Sequence, residues 1–285
     1  MNLLQKNKVK SLFFLITILL SFFPFLLEAE YKGRGNIEVF CGSVFKPAIE
    51  EIVPEFERRE RINVNLHIGS SGTMLSQIEI SKRGDIYIPG SPDFMIKAVR
   101  KGVVKEDDCK KIAWIVPAIA VPSNNPAGIK ELSDLAKPNV RVLIANPQSV
   151  CLGVYAVELL RKKGIYEKVK PNIINYAESC AKTASLVAMN TVDAAIGWSV
   201  FGRWNSDKVK IIPLKKDEIP RIAFIPVAIT KYGSKNELAQ KFITFLESDF
   251  SKRIIGKWGF YLSFEDAKRD APYASAGGEY KLGDY

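Results

Sequence analysis

Apolar positions along the chain switch repeatedly between the periods of a strand and of a helix. Residues 36–40, NIEVF, form a short strand-like run. Ile49, Ile52, Val53 and Phe56 follow at helical spacing and predict an amphipathic helix over 47–59, with Pro47 in its first turn. INVNLHI (62–68) alternates as a strand, 73–82 is helical, DIYI (85–88) is a strand and 93–101 a helix. A long apolar segment, KIAWIVPAIAVP (111–122), interrupts the rhythm. The alternation then resumes with a strand at 140–145, a helix at 152–163, a strand at 172–177, a helix at 180–190, and strands at 193–198 and 209–214. RIAFIPVAIT (221–230) is the counterpart of the first long segment. A helix over 235–247 follows, with Leu238, Phe242, Phe245 and Leu246 on one face.

Strand and helix in turn predict parallel sheets covered by helices. Two such units joined by two long apolar strands describe an α/β protein of two lobes with a cleft between them. The expected first lobe is discontinuous, 30–114 and 225–267, and the second is 115–224. The segment 268–285 reads as a loose polar tail. Ligands of such sheets lie beyond the carboxyl ends of the strands, so the strand-to-helix turns are where binding chemistry is expected.

At 285 residues, with 47% apolar and 25% charged residues, the chain is globular and long enough for two units. Its formal charge of +10 suits an anionic partner or surface. The basic residues are scattered, without the long arm or aromatic platform of a nucleic-acid binder. Lys6, Lys8 and Lys10 precede an apolar run from Leu12 to Leu27, with Ala29 after it. That order predicts a signal peptide over 1–29 and an exported mature chain, periplasmic or extracellular. Cys41, Cys109, Cys151 and Cys180 lack metal-site spacing. His67, the only histidine, lies inside a strand pattern and is expected to pack. Neither a nucleophile elbow nor a phosphate-binding G-x-x-x-x-G-K-[ST] loop occurs.

Four turns share one chemistry: CGSVFKP (41–47), GSSGT (69–73), SVCLG (149–153) and ESCAKT (178–183). Each presents backbone N–H groups at a helix start, where an anion is stabilised. Ser43, Ser70, Ser71 and Thr73 add hydroxyls. Small polar residues at helix starts also serve as ordinary caps. Two turns fall in each lobe, however, so closing the cleft would aim donors at one anion from both sides.

VFCGS, PAIEEIVPEFE, GSSGTMLSQIE, GDIYIPGS and NPQSVCLGVYAVELL, spread between about Ile37 and Phe260, resemble the periplasmic molybdate/tungstate-binding proteins of ABC transporters, within the type II solute-binding fold. The resemblance implies capture of a tetrahedral oxyanion for a membrane ABC permease by a monomeric carrier that needs no cofactor and catalyses nothing. It further implies that the hydroxyls of Ser43 and Ser71 and backbone groups at Leu152 and Cys180 bind the oxyanion. Trp198 stands where the family usually has a tyrosine, and its indole can donate one hydrogen bond.

Cys41, Cys151 and Cys180 depart from the family pattern. They suggest two rivals, a thiol-dependent binder of arsenite or a soft metal and an enzyme with Cys151 as nucleophile. A sensor built on the same fold is a third. Cys151 and Cys180 both start helices after neighbouring parallel strands, so a disulfide between them is expected, with Cys41 free.

Overall fold

A computed structural model describes residues 35–233 and 236–283. The expected signal segment lies outside these residues. Strands β1 (Gly35–Gly42), β2 (Ile62–Gly69) and β3 (Ile86–Ile88) alternate with helices α1 (Lys46–Glu60), α2 (Ser71–Ser81) and α3 (Pro92–Arg100). The positions spaced for a helix in α1, Ile49, Ile52, Val53 and Phe56, are all buried. Strands β4 (Lys110–Ile115) and β5 (Pro117–Pro122) follow, separated only by Val116. The chain continues through β6 (Val142–Ala145), α4 (Cys151–Lys162), α5 (Tyr166–Val169), β7 (Ile173–Ala177), α6 (Cys180–Ala188), β8 (Ala194–Trp198), α7 (Phe201–Trp204) and β9 (Val209–Pro213). Strand β10 (Arg221–Ile229), helices α8 (Asn236–Leu246), α9 (Asp249–Lys257) and α10 (Phe264–Lys268), and the short β11 (Ser275–Ala276) complete it.

The strands form two mixed sheets, so the α/β architecture is bilobal, as the pattern implies. One runs β11-β10-β3-β1-β2 with β4 also on β10, and the other β7-β6-β8-β5-β9. In the first, β1 pairs in parallel with β2 and β3, while β10 is antiparallel to β3 and β4. In the second, β6 is parallel to β7 and β8, while β5 is antiparallel to β8 and β9. The single apolar run 111–122 thus serves both sheets, changing from one to the other at Val116. Strand β10 joins the first sheet from Arg221, four residues before the boundary expected at 225. One apolar cluster runs through both lobes, from Ile37 and Phe56 to Leu143 and Phe201.

Helices α9 and α10 were not evident from periodicity. Both are short, and in α9 only Ser251 and Ile255 are buried. Their caps, Ser248 accepting from Ser251 N and Ser263 accepting from Asp266 N, are the sequence signals that mark them.

The tail is docked, contrary to the expectation that it is loose. Strand β11 pairs with the start of β10, and Gly278 O accepts from Arg221 Nη1 at 2.6 Å. Glu279 takes both terminal nitrogens of Arg100, Tyr280 N donates to Asp93, and Leu282 O accepts from Arg161. Polar composition misled because main-chain groups and the Arg100–Glu279 pair hold the tail, with its apolar contacts confined to a few scattered side chains such as Ala271, Ala274 and Leu282. Arg221 is the centre of this junction. It donates to Asp93 on α3 and to Glu158 on α4, one helix from each lobe, and its guanidinium lies 4.1 Å from the centre of the Tyr155 ring.

Candidate functional site: an interlobe seam of small donors

The four small-residue turns meet where the lobes touch. At the end of β1, Gly42 caps a single turn, Ser43–Phe45, that leads into α1. Ser43 is buried, and its Oγ accepts from Ala181 N of the opposite lobe at 3.4 Å. Ser71 opens α2, is 2% exposed, and accepts from Gly90 N at 3.0 Å. The Ser71 main-chain oxygen takes the Tyr87 hydroxyl. Gly72 N donates to Ser149 O at 2.8 Å, a second bond across the seam. Hence Ser43 and Ser71 both stand at the contact between lobes.

Neighbouring hydroxyls have a different use. Ser70 caps α2, accepting from Thr73 N and pairing with the Thr73 hydroxyl at 2.7 Å. In the second lobe Ser179 caps α6 by accepting from Lys182 N. For these three side chains the ordinary capping role accounts for the sequence. No side chain caps α4, whose N-cap position is Val150. The N–H groups of Cys151 and Leu152 precede its first intrahelical bond and face outward from the helix start.

Glycine makes this approach possible at two positions. A Cβ on Gly90 would stand 2.8 Å from Cys151 Sγ and 2.6 Å from Val44. A Cβ on Gly153 would lie 2.3 Å from Ala145 O and 2.6 Å from Pro147 N, both backbone atoms. Gly153 therefore lets the start of α4 rest directly on the end of β6, which fixes where Cys151 and Leu152 point. Gly90, in the quoted GDIYIPGS, belongs to the seam although the sequence did not single it out as a site residue.

In place of the expected disulfide, Cys151 and Cys180 are neighbouring free thiols. The Cys151 thiol is in side-chain hydrogen-bond contact with Cys180 and with Ser71. That contact with Cys180, followed by burial, holds the Cys151 thiol far above the usual range, so it stays protonated. A hydrogen-bond contact between the two thiols takes the place of a bridge. Cys41 is also free, but it is buried beneath the turn and bonds its neighbour's carbonyl, Gly42 O. Cys109 bonds Lys105 O away from the seam. Among the described residues no group of three acidic, histidine or cysteine side chains is placed to hold a metal, so a three-thiol cage is not formed.

Trp198 ends β8, fully buried, with its ring 5.0 Å from that of Tyr155 at a steep angle. Trp198 Nε1, Tyr155 OH and Ser199 Oγ are all buried without a hydrogen-bond partner. Buried donors are seldom left so, and two of these, on Trp198 and Tyr155, belong to rings that pack against one another. Tyr155 was not anticipated. Its position one turn after Cys151, on the same face of α4, was the available signal. Burial, then the Asp93 carboxylate, push the Tyr155 phenol up, so it remains a donor. His67 lies on the exposed face of β2, stacked on Phe40 at 4.4 Å.

A groove of about 450 Å³ opens beside the seam, lined from one lobe by Lys46, Glu50 and Trp258 and from the other by Ala181, Ser185 and Asn205. A larger depression near 700 Å³, lined by Glu60, Lys241 and Phe245, includes no residue of the four turns. The smaller one is the more relevant, because it reaches Ala181.

Residues 37–261 match the family of bacterial extracellular solute-binding proteins. The chain belongs to that family. Its members bind solutes and are not enzymes, which removes the cysteine-nucleophile alternative. Among curated relatives, a putative ABC transporter substrate-binding lipoprotein, YvgL of Bacillus subtilis, is 27% identical over 82% of this chain and 89% of its own length. The molybdate-binding protein ModA of Escherichia coli is 24% identical over 80% of this chain and 89% of its own. Among solved structures, the Azotobacter vinelandii periplasmic molybdate-binding protein superposes with a TM-score of 0.69 at 18% identity, covering 80% of this chain and 99% of that one. That likeness establishes the two-lobed solute-binding fold for the family member described here.

Proposed function

We propose that this chain is an exported carrier that closes on a tetrahedral oxyanion, molybdate or tungstate, and presents it to a membrane ABC permease. The observation that carries the reading is the convergence of donors from both lobes on one buried seam. Ser43 and Ser71 arrive from the first lobe. The starts of α4 and α6 arrive from the second, where Trp198, its Nε1 buried and unpartnered, packs on Tyr155 of α4. With the anion between them, the hydroxyls of Ser43 and Ser71, the N–H groups of Leu152 and Cys180, and the indole would donate to it. A fully ionised oxyanion needs donors and no acceptor, and hydrogen bonds to a charge are the strong kind. The names of the curated relatives support the ligand class, and the net charge of +10 favours encounter with an anion. Export follows from the signal-like order of residues 1–29, and the carrier acts as a monomer.

A thermal-unfolding panel of the mature chain with molybdate, tungstate and phosphate tests the reading, since a ligand bound only to the folded state raises Tm by mass action. Molybdate and tungstate are expected to raise it. Phosphate, which carries a proton needing an acceptor at neutral pH, should raise it far less. Equal shifts with phosphate and molybdate would remove the basis for the assignment. Ser71→Ala should weaken molybdate binding by about 1.5–3 kcal/mol, the worth of a hydrogen bond to a charged group. Calorimetric titration of that variant checks it, and unchanged affinity would place the site elsewhere.

A further inference from the structure

The Cys151–Cys180 pair is left unused by oxyanion binding through N–H and O–H donors. Both residues are the first of their helices, α4 and α6, which follow the neighbouring parallel strands β6 and β7. Their thiols touch one another and are free. The pair also faces the other lobe: Cys151 Sγ lies 2.8 Å from the position a Cβ would take on Gly90, and Ala181, next to Cys180, bonds Ser43. Tyr155, one turn after Cys151 on the same face of α4, carries a buried hydroxyl without a hydrogen-bond partner. The seam therefore holds two adjacent soft sulfur atoms with an orphaned hydroxyl close by.

We infer that this dithiol is a second recognition element of the cleft, which captures trivalent arsenic as arsenous acid. Two thiols condense with As(OH)3 to give (RS)2As–OH and two waters. Both thiol protons leave with two arsenic hydroxyls, two As–S bonds replace two As–O bonds, and no electrons are transferred. Sulfur is the preferred donor for a soft centre. The chemistry of the pair selects this ligand over other soft ones. A metal needing three or more such ligands finds no third among the described residues. Pyramidal arsenic keeps both sulfurs on one side and retains one hydroxyl, for which Tyr155 OH is the free partner.

The test uses the full mature chain, reduced with a phosphine, freed of reductant under argon and titrated with sodium arsenite. One arsenic per chain is expected by intact mass, with two of the four thiols protected from alkylation after denaturation. Peptide mapping should place the protection at residues 151 and 180. Cys151→Ser and Cys180→Ser should each weaken uptake by about tenfold or more, whereas Cys109→Ser should leave it unchanged. Mapping on the wild-type chain decides the matter even where a serine variant folds poorly. Protection at Cys41 or Cys109, or four thiols still reactive at saturating arsenite, overturns the inference. It shares the cleft with the oxyanion reading but fails separately. A chain that binds molybdate and takes up no arsenite defeats only this inference, and one that takes up arsenite on the pair without binding molybdate defeats only the other.

Discussion

Gly153 has no Cβ, and the start of α4 depends on that. The nearest atoms to an added methyl are Ala145 O, Pro147 N and Asn146 C, all main chain, so nothing there can rotate away. Gly153→Ala should therefore lift the first turn of α4 off β6. An overpacked site of this kind costs about 1–3 kcal/mol, and the displaced N–H groups of Cys151 and Leu152 should lower molybdate affinity as well. Urea unfolding together with calorimetry checks both effects; a variant as stable as wild type would mean that the helix start is less constrained than the contacts require. The residue scale also shows where sequence reasoning stops. The four turns were legible, because hydroxyls and thiols after strands stand out, but the choice of Ser43, Ser71 and Cys180 within them came from the family resemblance. Ser70, Thr73 and Ser179 look the same in the sequence but serve as caps. Only the partner taken by each oxygen separates the two groups: Ala181 N of the opposite lobe for Ser43, and Gly90 N of a neighbouring turn in the same lobe for Ser71.

At the scale of elements, the second sheet is pinned at the strand ends remote from the seam. Asp193, just before β8, accepts from Arg141 N at 2.8 Å and from the guanidinium at 2.8 and 3.3 Å, while Asp193 N donates to Arg141 O. The Arg141 hydrogen bond, opposed by burial, holds the Asp193 carboxyl below its ordinary range. A carboxylate whose folded pKa is depressed adds stability above its unfolded value of about 4, and that contribution is lost as pH falls through the folded value. Arg141→Met should accordingly be less stable than wild type near neutrality and converge with it in acid. Urea midpoints followed from neutral pH down through the carboxylate range measure this, and a constant gap at every pH would exclude the linkage. The strands and covering helices were largely readable from periodicity because their apolar faces are packed against the sheets. Helices α9 and α10 and the docked tail were not: α9 is only nine residues long, so Phe250, Ile254 and Ile255 give too short a run to stand out, and the tail is held by pairs such as Arg100–Glu279. The junction at Arg221 was invisible for a different reason: Asp93, Glu158 and Gly278 come from three distant parts of the chain.

For the whole molecule, the decisive variable is whether the lobes are together, and Gly72 reports on it. Its N–H donates to Ser149 O across the seam, and a methyl there would lie 2.9 Å from both Ser149 Cα and Ser149 O. The same methyl would meet the edge of the Phe94 ring, within its own lobe, where a side chain can yield. Gly72 lies in the first turn of α2, where alanine adds up to about 1 kcal/mol of helix propensity over glycine. Gly72→Ala therefore acts with opposite sign on the two states. The separated lobes lose nothing, while the closed arrangement acquires a backbone clash at its contact. Because a ligand touching both lobes draws the population towards closure, the cost should appear in binding. Molybdate affinity is expected to fall by about tenfold or more, which corresponds to about 1.4 kcal/mol or more against closure. The unfolding free energy of the ligand-free chain should change by less than about 1 kcal/mol. Calorimetry and urea unfolding of the variant give the two numbers. Loss of stability without loss of affinity would show that Gly72 supports its own lobe and that closure on the ligand does not use this contact.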